Sequence, residues 1–180
     1  MKEWLLSVHG HWADKMLAGT KTVELRTRLL NFAPGDRLWL YSTSPVAAVR
    51  GYCWVHGTDV CEIERLRERY AVPACVPPAV FDRYFRGRRK GCAILICDPM
   101  RLPQAVPLHA LTAVSGKLVI PQYARLLKPW ERILHVLRER PGYASDCPCI
   151  LNLRDCDYCC CDHGDRCWMG CKSCARGRRT

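Results

Sequence analysis

At 180 residues and 49% hydrophobic, the chain is long enough for one core and an appendage, and its net charge of +11 favours a polyanionic partner. No apolar run reaches the roughly 18–20 residues of a membrane span. The N-terminus MKEWLLSVHG has no long apolar stretch and no small-residue cleavage site, so the expectation is an intracellular, cytoplasmic protein. The charge is uneven: residues 1–145 hold 22 Lys+Arg against 12 Asp+Glu, and residues 146–180 hold 6 against 5. The basic excess therefore belongs to the first segment, and nucleic acid is the commonest partner for such a surplus. Solubility alone is the competing explanation.

Trp4 to Val8 predicts a first strand. Trp12, Ala13, Met16 and Leu17 recur at helical spacing, and Gly19 stands where a helix C-cap belongs. From Thr22 the pattern alternates: Val23 and Leu25 face one way, while Thr22, Glu24, Arg26 and Arg28 face the other. Pro34-Gly35-Asp36 is a turn, Arg37 to Tyr41 a strand, and Ser42 to Pro45 a loop. Val46 to Val55 reads as a further strand with a bulge at Gly51. Residues 62–70 predict a charged surface helix, and Val72 to Pro78 a Pro-rich connection. Val80 to Phe85 forms a helical turn carrying Phe81, Tyr84 and Phe85. Arg86 to Lys90 is a basic turn, and Cys92 to Cys97 a buried strand. Pro-rich loops lead to an amphipathic helix from Trp130 to Arg140, built on Ile133, Leu134 and Leu137 and stopped by Pro141-Gly142. Short strands bounded by turns, with two or three helices, predict an α+β domain on a small curved sheet or barrel. This domain would span residues 1–145, with a Cys-rich tail over 146–180.

The stretch GTKTVELR at 19–26 concentrates polar chemistry. Glu24 and Arg26 share a strand face, about 7 Å apart, and Lys21 sits where loop becomes strand. On an open edge they would form a solvated ion pair worth about 0–1 kcal/mol. Lining a concave mouth, Arg offers a planar fork for phosphate and Lys a point charge. Glu would orient both, or accept hydrogen bonds from a base edge. The residues alone leave both readings open.

Gly19-Thr20-Lys21-Thr22-Val23-Glu24-Leu25-Arg26 fits a G-x-K-x-x-E-x-R pattern, and in it the chain resembles the ASCH family (activating signal cointegrator homology domains). Other segments follow in the family's order. Leu5-Leu6-Ser7-Val8 looks like its opening strand. Pro34 to Tyr41 with Ser42-Thr43-Ser44-Pro45, then Ala48-Val49-Arg50-Gly51, resembles its central block. Tyr84-Phe85 with Gly87, Gly91-Cys92-Ala93-Ile94, Pro107-Leu108 and Pro121-Gln122 resemble later ones. The similarity covers roughly residues 4–125. It implies a PUA-like fold, a small β-barrel with flanking helices, and RNA or nucleotide binding in a cleft beside the barrel. Carried over, that cleft holds Lys21, Glu24 and Arg26, with Ser42, Thr43 and Ser44 opposite as hydroxyl and N–H donors. The family often has a Lys after the first strand. Here His9 and His11 stand nearest, which makes the local charge pH-sensitive.

The resemblance also bears on catalysis. Some small ASCH proteins deacetylate N4-acetylcytidine with a nucleophilic Thr at the position that Glu24 occupies here. That departure points away from amide hydrolysis, even with Lys21 as a base. Ribonuclease chemistry would use Lys21 and Arg26 to stabilise a pentacoordinate phosphate, with Glu24 or His9 as base. The reading leans towards binding rather than catalysis.

Tyr84 to Lys90 mixes aromatics with cations. Phe81 and Phe85 are expected in the core, and Arg88, Arg89 and Lys90 are expected to contact phosphates. Nine of the 14 cysteines lie between Cys147 and Cys174. Cys53, Cys61, Cys75, Cys92 and Cys97 are expected as small core side chains. In the tail, the C-x-x-C pairs Cys156/Cys159 and Cys171/Cys174 match a closed tetrahedral zinc site. Cys147, Cys149, Cys160, Cys161, His163 and Cys167 could serve a second ion. Disulfides, an iron–sulfur cluster and a disordered thiol-rich tail are the alternatives. Arg176, Arg178 and Arg179 make the end basic.

The sequence therefore predicts an RNA- or nucleotide-binding protein holding single-stranded or modified RNA, with zinc in its tail. The alternatives are an enzyme acting on a modified nucleoside or RNA in the same cleft, and an interaction module in transcriptional regulation whose tail docks a protein partner. Native mass spectrometry with and without a chelator tests the zinc: a chelator-sensitive Zn adduct is expected, and a metal-free chain before chelation excludes it.

Overall fold

The computed structural model describes residues 1–28, 30–116 and 118–146. The tail cysteines, Cys156, Cys159, Cys171 and Cys174 among them, lie outside the described residues. The elements run β1 (Glu3–Val8), α1 (Gly10–Leu17), β2 (Val23–Arg26), β3 (Arg37–Ser42), β4 (Ala48–Glu62), α2 (Ile63–Tyr70), α3 (Pro78–Tyr84), β5 (Lys90–Pro107), α4 (Leu108–Ser115), β6 (Ala124–Leu127) and α5 (Arg132–Arg138). The expected α+β class is what forms. The six strands make one sheet in the order β2-β5-β4-β3-β1-β6. β1 and β3 are parallel, and the other pairs are antiparallel.

All six residues of β3 are buried, because both of its faces are covered. Leu38 and Leu40 face a cluster with Ala13, Met16 and Leu17 of α1. Trp39 and Tyr41 face a second cluster with Leu111 of α4 and Ile133, Leu134 and Leu137 of α5. A third, smaller cluster joins Val23 and Leu25 of β2 to Leu66, Phe81 and Phe85 beneath α2 and α3. Gly51 sits at a register shift between β4 and β5. A Cβ there would lie 2.5 Å from a Leu17 methyl and collide with the Met100 carbonyl, so glycine lets α1 settle on the sheet.

Three sequence expectations change. The barrel does not close: β2 and β6 are the two free edges of the sheet among the described residues. β2 is only four residues long, and the Thr22 and Val23 amides before its outer edge donate to Pro73 O at 3.0 and 3.3 Å instead of to a strand. β4 and β5 extend far past the expected Val55 and Cys97. The outer half of each pairs with the inner half of the other, Gly57 to Glu62 with Leu95 to Lys90 and Ala48 to Tyr52 with Pro107 to Met100, across repeated register shifts that bend and coil the long ribbons. The outer halves are half-exposed, so no apolar run marked them. Finally, α4 and β6 fall within the stretch read as Pro-rich loops. Pro107 caps α4 from its N-terminal side, where a missing N–H costs nothing. Cys53, Cys61, Cys92 and Cys97 are buried as expected, whereas Cys75 is half-buried in a loop. No helix among the described residues is long and apolar enough to cross a membrane.

One charged pair lies deep in this core. Arg37 is fully buried, and its Nη1 donates to Glu3 Oε2 at 3.1 Å. Trp39, Tyr52, Trp54 and Tyr143 surround its guanidinium at 4.4–5.7 Å from their ring centroids. Its Nη2 donates to Ala144 O and Ser145 O, and Tyr52 Oη donates to Gly142 O at 2.7 Å. Glu3 also accepts from Trp39 Nε1 at 2.7 Å and from Arg138 Nε at 2.8 Å. The first strand, the centre of the sheet and the end of the domain thus share one network. Replacing Glu3 with Ala strands the Arg37 charge, and urea denaturation should show a loss of about 3–5 kcal/mol. Arg138→Ala, at a side chain 38% exposed, should cost clearly less. Equal losses would mean that Arg37 does not depend on Glu3.

Candidate nucleic-acid interface

α1 ends at Leu17, and Gly19 with φ 74° turns the chain towards β2. Thr20 and Lys21 amides both donate to Lys15 O at 3.0 Å, which fixes the entry of Lys21. The Lys21 side chain does not reach water: the residue is 2% exposed. Its Nζ donates to Val23 O at 2.8 Å and Ala74 O at 2.9 Å, and pairs with Glu24 Oε2 at 3.1 Å. All three ammonium protons have acceptors. The Trp12 ring lies alongside, its centroid 5.2 Å from Nζ. Lys21 therefore ties β2 to the loop at 71–76 and aims Glu24.

The other Glu24 oxygen, Oε1, takes Arg26 Nη2 at 2.8 Å. The same Nη2 donates to Ser7 O of β1 at 2.9 Å. Arg26 thus crosses the gap between β2 and β1 that backbone pairing leaves open. Its guanidinium lies 4.4 Å from the centroid of the Tyr123 ring, just before β6. The Tyr123 amide region is held by Ser7, whose N–H donates to Tyr123 O at 2.8 Å and whose Oγ donates to Pro121 O at 2.7 Å. Arg26 Nε and the Tyr123 hydroxyl are buried with no hydrogen-bond partner among the described residues. Burial pushes the Tyr123 phenol well above its ordinary value, so it stays protonated and able to donate.

The predicted opposite wall reaches the next residue of β1. Ser42 closes β3 in register with Val8, and the Thr43 amide donates to Val8 O at 2.9 Å. Ser7 and Val8, adjacent on β1, therefore receive Arg26 and Thr43 respectively. Ser42 Oγ and Thr43 Oγ1 are also buried without partners among the described residues, and Ser44 is exposed. His9 and His11 are exposed where α1 begins. The basic loop leads into β5: Arg86, Arg88, Arg89 and Lys90 are all exposed, and Cys92, two residues on, is in register with Arg26. Burial pushes the Cys92 thiol up to about 12, which keeps it neutral beside Arg26. Among the described residues no cluster of His, Cys, Asp or Glu could hold a metal ion.

Sequence reasoning grouped Lys21, Glu24 and Arg26, which an ion-pair chain joins, and set Ser42 and Thr43 opposite; these two lie beside Val8, the residue after the Ser7 whose carbonyl takes Arg26. It missed Trp12 and Tyr123 as their neighbours. Trp12 looked like a core position on a helix, and the only hint of Tyr123 was Pro121-Gln122 directly before it. It also pictured Lys21 as a cation facing the ligand, a role its burial does not show.

No family profile matches the chain. A Zymomonas mobilis protein named ASCH domain-containing ribonuclease is 31% identical over 130 residues, covering 72% of this chain and 87% of that protein. The crystal structure of ASCH from Zymomonas mobilis has 29% identity and a TM-score of 0.70, covering 76% of this chain and 95% of that one. A single-substitution variant of the same protein has a TM-score of 0.71 at 26% identity, over 78% of this chain and 99% of that one. Lys21→Met keeps the aliphatic stem but leaves Val23 O, Ala74 O and Glu24 unserved. Chemical denaturation should register a loss of about 3 kcal/mol or more. A variant as stable as the wild type would show that the ammonium holds nothing together.

Proposed function

The chain belongs to the ASCH domain family, and we propose that it binds RNA, single-stranded or carrying a modified base, in the cationic seam between β2 and the end of β1. The observation that carries this reading is the set of buried polar atoms left without partners around that seam. Arg26 Nε, Tyr123 Oη, Ser42 Oγ and Thr43 Oγ1 are all of this kind. Buried polar atoms normally have partners, so the first two, where Arg26 meets Ser7, and the other two, beside the adjacent Val8, suit a ligand rich in oxygen and nitrogen. Phosphate oxygens and base edges are such ligands. The +11 charge of the chain supplies attraction at long range.

In this reading Lys21 acts by fixing Glu24, and Glu24 accepts from an amino or imino group on a base. Arg26 is the direct cation, and Arg88, Arg89 and Lys90 contact neighbouring phosphates. Ser44 and the backbone of its loop add donors on the far side. A zinc site of Cys156, Cys159, Cys171 and Cys174 in the tail would add affinity or a surface for a protein partner.

RNA cleavage is the second reading, favoured by the name of the 31% identical relative. Both Glu24 oxygens are already engaged by cations, so neither is open to a ribose hydroxyl. His9, exposed beside Val8 where the walls meet, is then the group to take a proton from a ribose hydroxyl, with Arg26 stabilising charge on phosphate.

Fluorescence anisotropy with a labelled single-stranded RNA at low salt tests the binding. Arg26→Gln should weaken it about tenfold. Replacing Arg88, Arg89 and Lys90 by Ala should flatten the salt dependence by about 0.7 per lost phosphate contact. No affinity at low salt would sink the proposal. If RNA is also cut, His9→Ala should abolish cutting while binding survives.

A further inference from the structure

We propose that Tyr84 is a base-stacking residue on the path of a single RNA strand between the Arg26 seam and the basic loop at 86–90; the inference rests on the RNA-binding reading above. Tyr84 is the last residue of α3 and is 45% exposed, whereas Phe81 and Phe85 beside it are 0% and 3% exposed. Its ring meets Phe85 at 84°, with centroids 4.9 Å apart. Such a T-shaped contact buttresses the Tyr84 ring and leaves it a face that Phe85 does not cover. A ring already held in place loses little freedom when a base stacks on it.

The position is right for that role. A Cβ at Gly91 would lie 2.6 Å from Phe85 Cε1 and 3.3 Å from Arg26 O, so Phe85 and the Arg26 backbone flank the same glycine. Cys92, the residue after that glycine, is in register with Arg26, whose guanidinium lies over the Tyr123 ring. Tyr84 therefore stands beside the seam, and the chain continues from it straight into Arg86, Arg88 and Arg89. None of these three is in an ion pair among the described residues, and Lys90 is only loosely paired to Glu62 at 3.5 Å. The nearby carboxylate of Asp82 is taken up by Arg67. Cations with no local counter-charge, next to an open aromatic face, fit a phosphate backbone with its bases turned inward. A duplex hides its base faces, so the arrangement selects a single strand.

The test measures binding of the full chain to a labelled single-stranded hexanucleotide and to an RNA duplex, at one low salt concentration. Tyr84→Ala should weaken the single strand about tenfold, and Tyr84→Phe should stay within about twofold of wild type. Duplex affinity and the salt slope on the single strand should not change, since no charge is lost. Wild-type affinity of Tyr84→Ala for the single strand, or an equal loss on the duplex, overturns the stacking role and leaves RNA binding standing. A wild-type chain that binds neither RNA overturns the RNA-binding reading itself, and the stacking role with it.

Discussion

A buried ammonium governs the geometry of the seam. Burying the Lys21 ammonium without acceptors would be costly, and the 71–76 loop and Glu24 supply them. Glu24, once held, has one oxygen left to aim, and it aims Arg26. Arg26 then reaches the Ser7 carbonyl on β1. This chain of side chains takes the place of a strand ladder between β2 and β1. A ladder would satisfy every backbone group and leave no room. A side-chain bridge closes the sheet at one point and leaves polar atoms beside it unpaired. The open edge and the candidate site therefore have the same cause.

The same solution appears a second time with a different result. Arg37 is held by one carboxylate, two carbonyls and a box of four aromatic rings. It is fully buried, and the rings and residues 144–145 seal it. Such a group can only brace the fold. Arg26 keeps a partly exposed side chain at 14%, and exposure is what differs, since the Nε of both arginines has no partner among the described residues. The two arginines share a chemistry of buried ion pairing, and the degree of sealing separates a brace from a binding group. Burying either charge costs desolvation that its partner must offset, which is why both pairs carry extra hydrogen bonds.

Much of this was readable along the chain. Trp4 to Val8, Arg37 to Tyr41 and Cys92 to Cys97 showed their strands, because buried strands of a covered sheet are continuously apolar. The α1 face showed through its 3.6-residue spacing. Phe81 and Phe85 were placed in the core correctly. The octet at 19–26 placed Glu24 and Arg26 on one face. What escaped were elements whose patterns are weak: the half-exposed outer arms of β4 and β5, the eight-residue α4 between prolines, and the four-residue edge strand β6. Their stability comes from neighbours far off in sequence, and local periodicity does not report that.

The sequence by itself determined the class of fold, the family resemblance, the basic surplus and the identity of the polar groups. Side-chain period and charge are local properties, and local properties survive in a linear string. Only the tertiary structure decided which cation faces outward. Lys21 and Arg26 sit five residues apart and look equivalent in the string. Ala74, fifty-three residues on, buries the first by supplying a carbonyl, and the lack of a second strand on the outer edge of β2, among the described residues, leaves the second at an open seam. Solvent exposure is set by what packs from elsewhere, so the role of each charge waited on the fold.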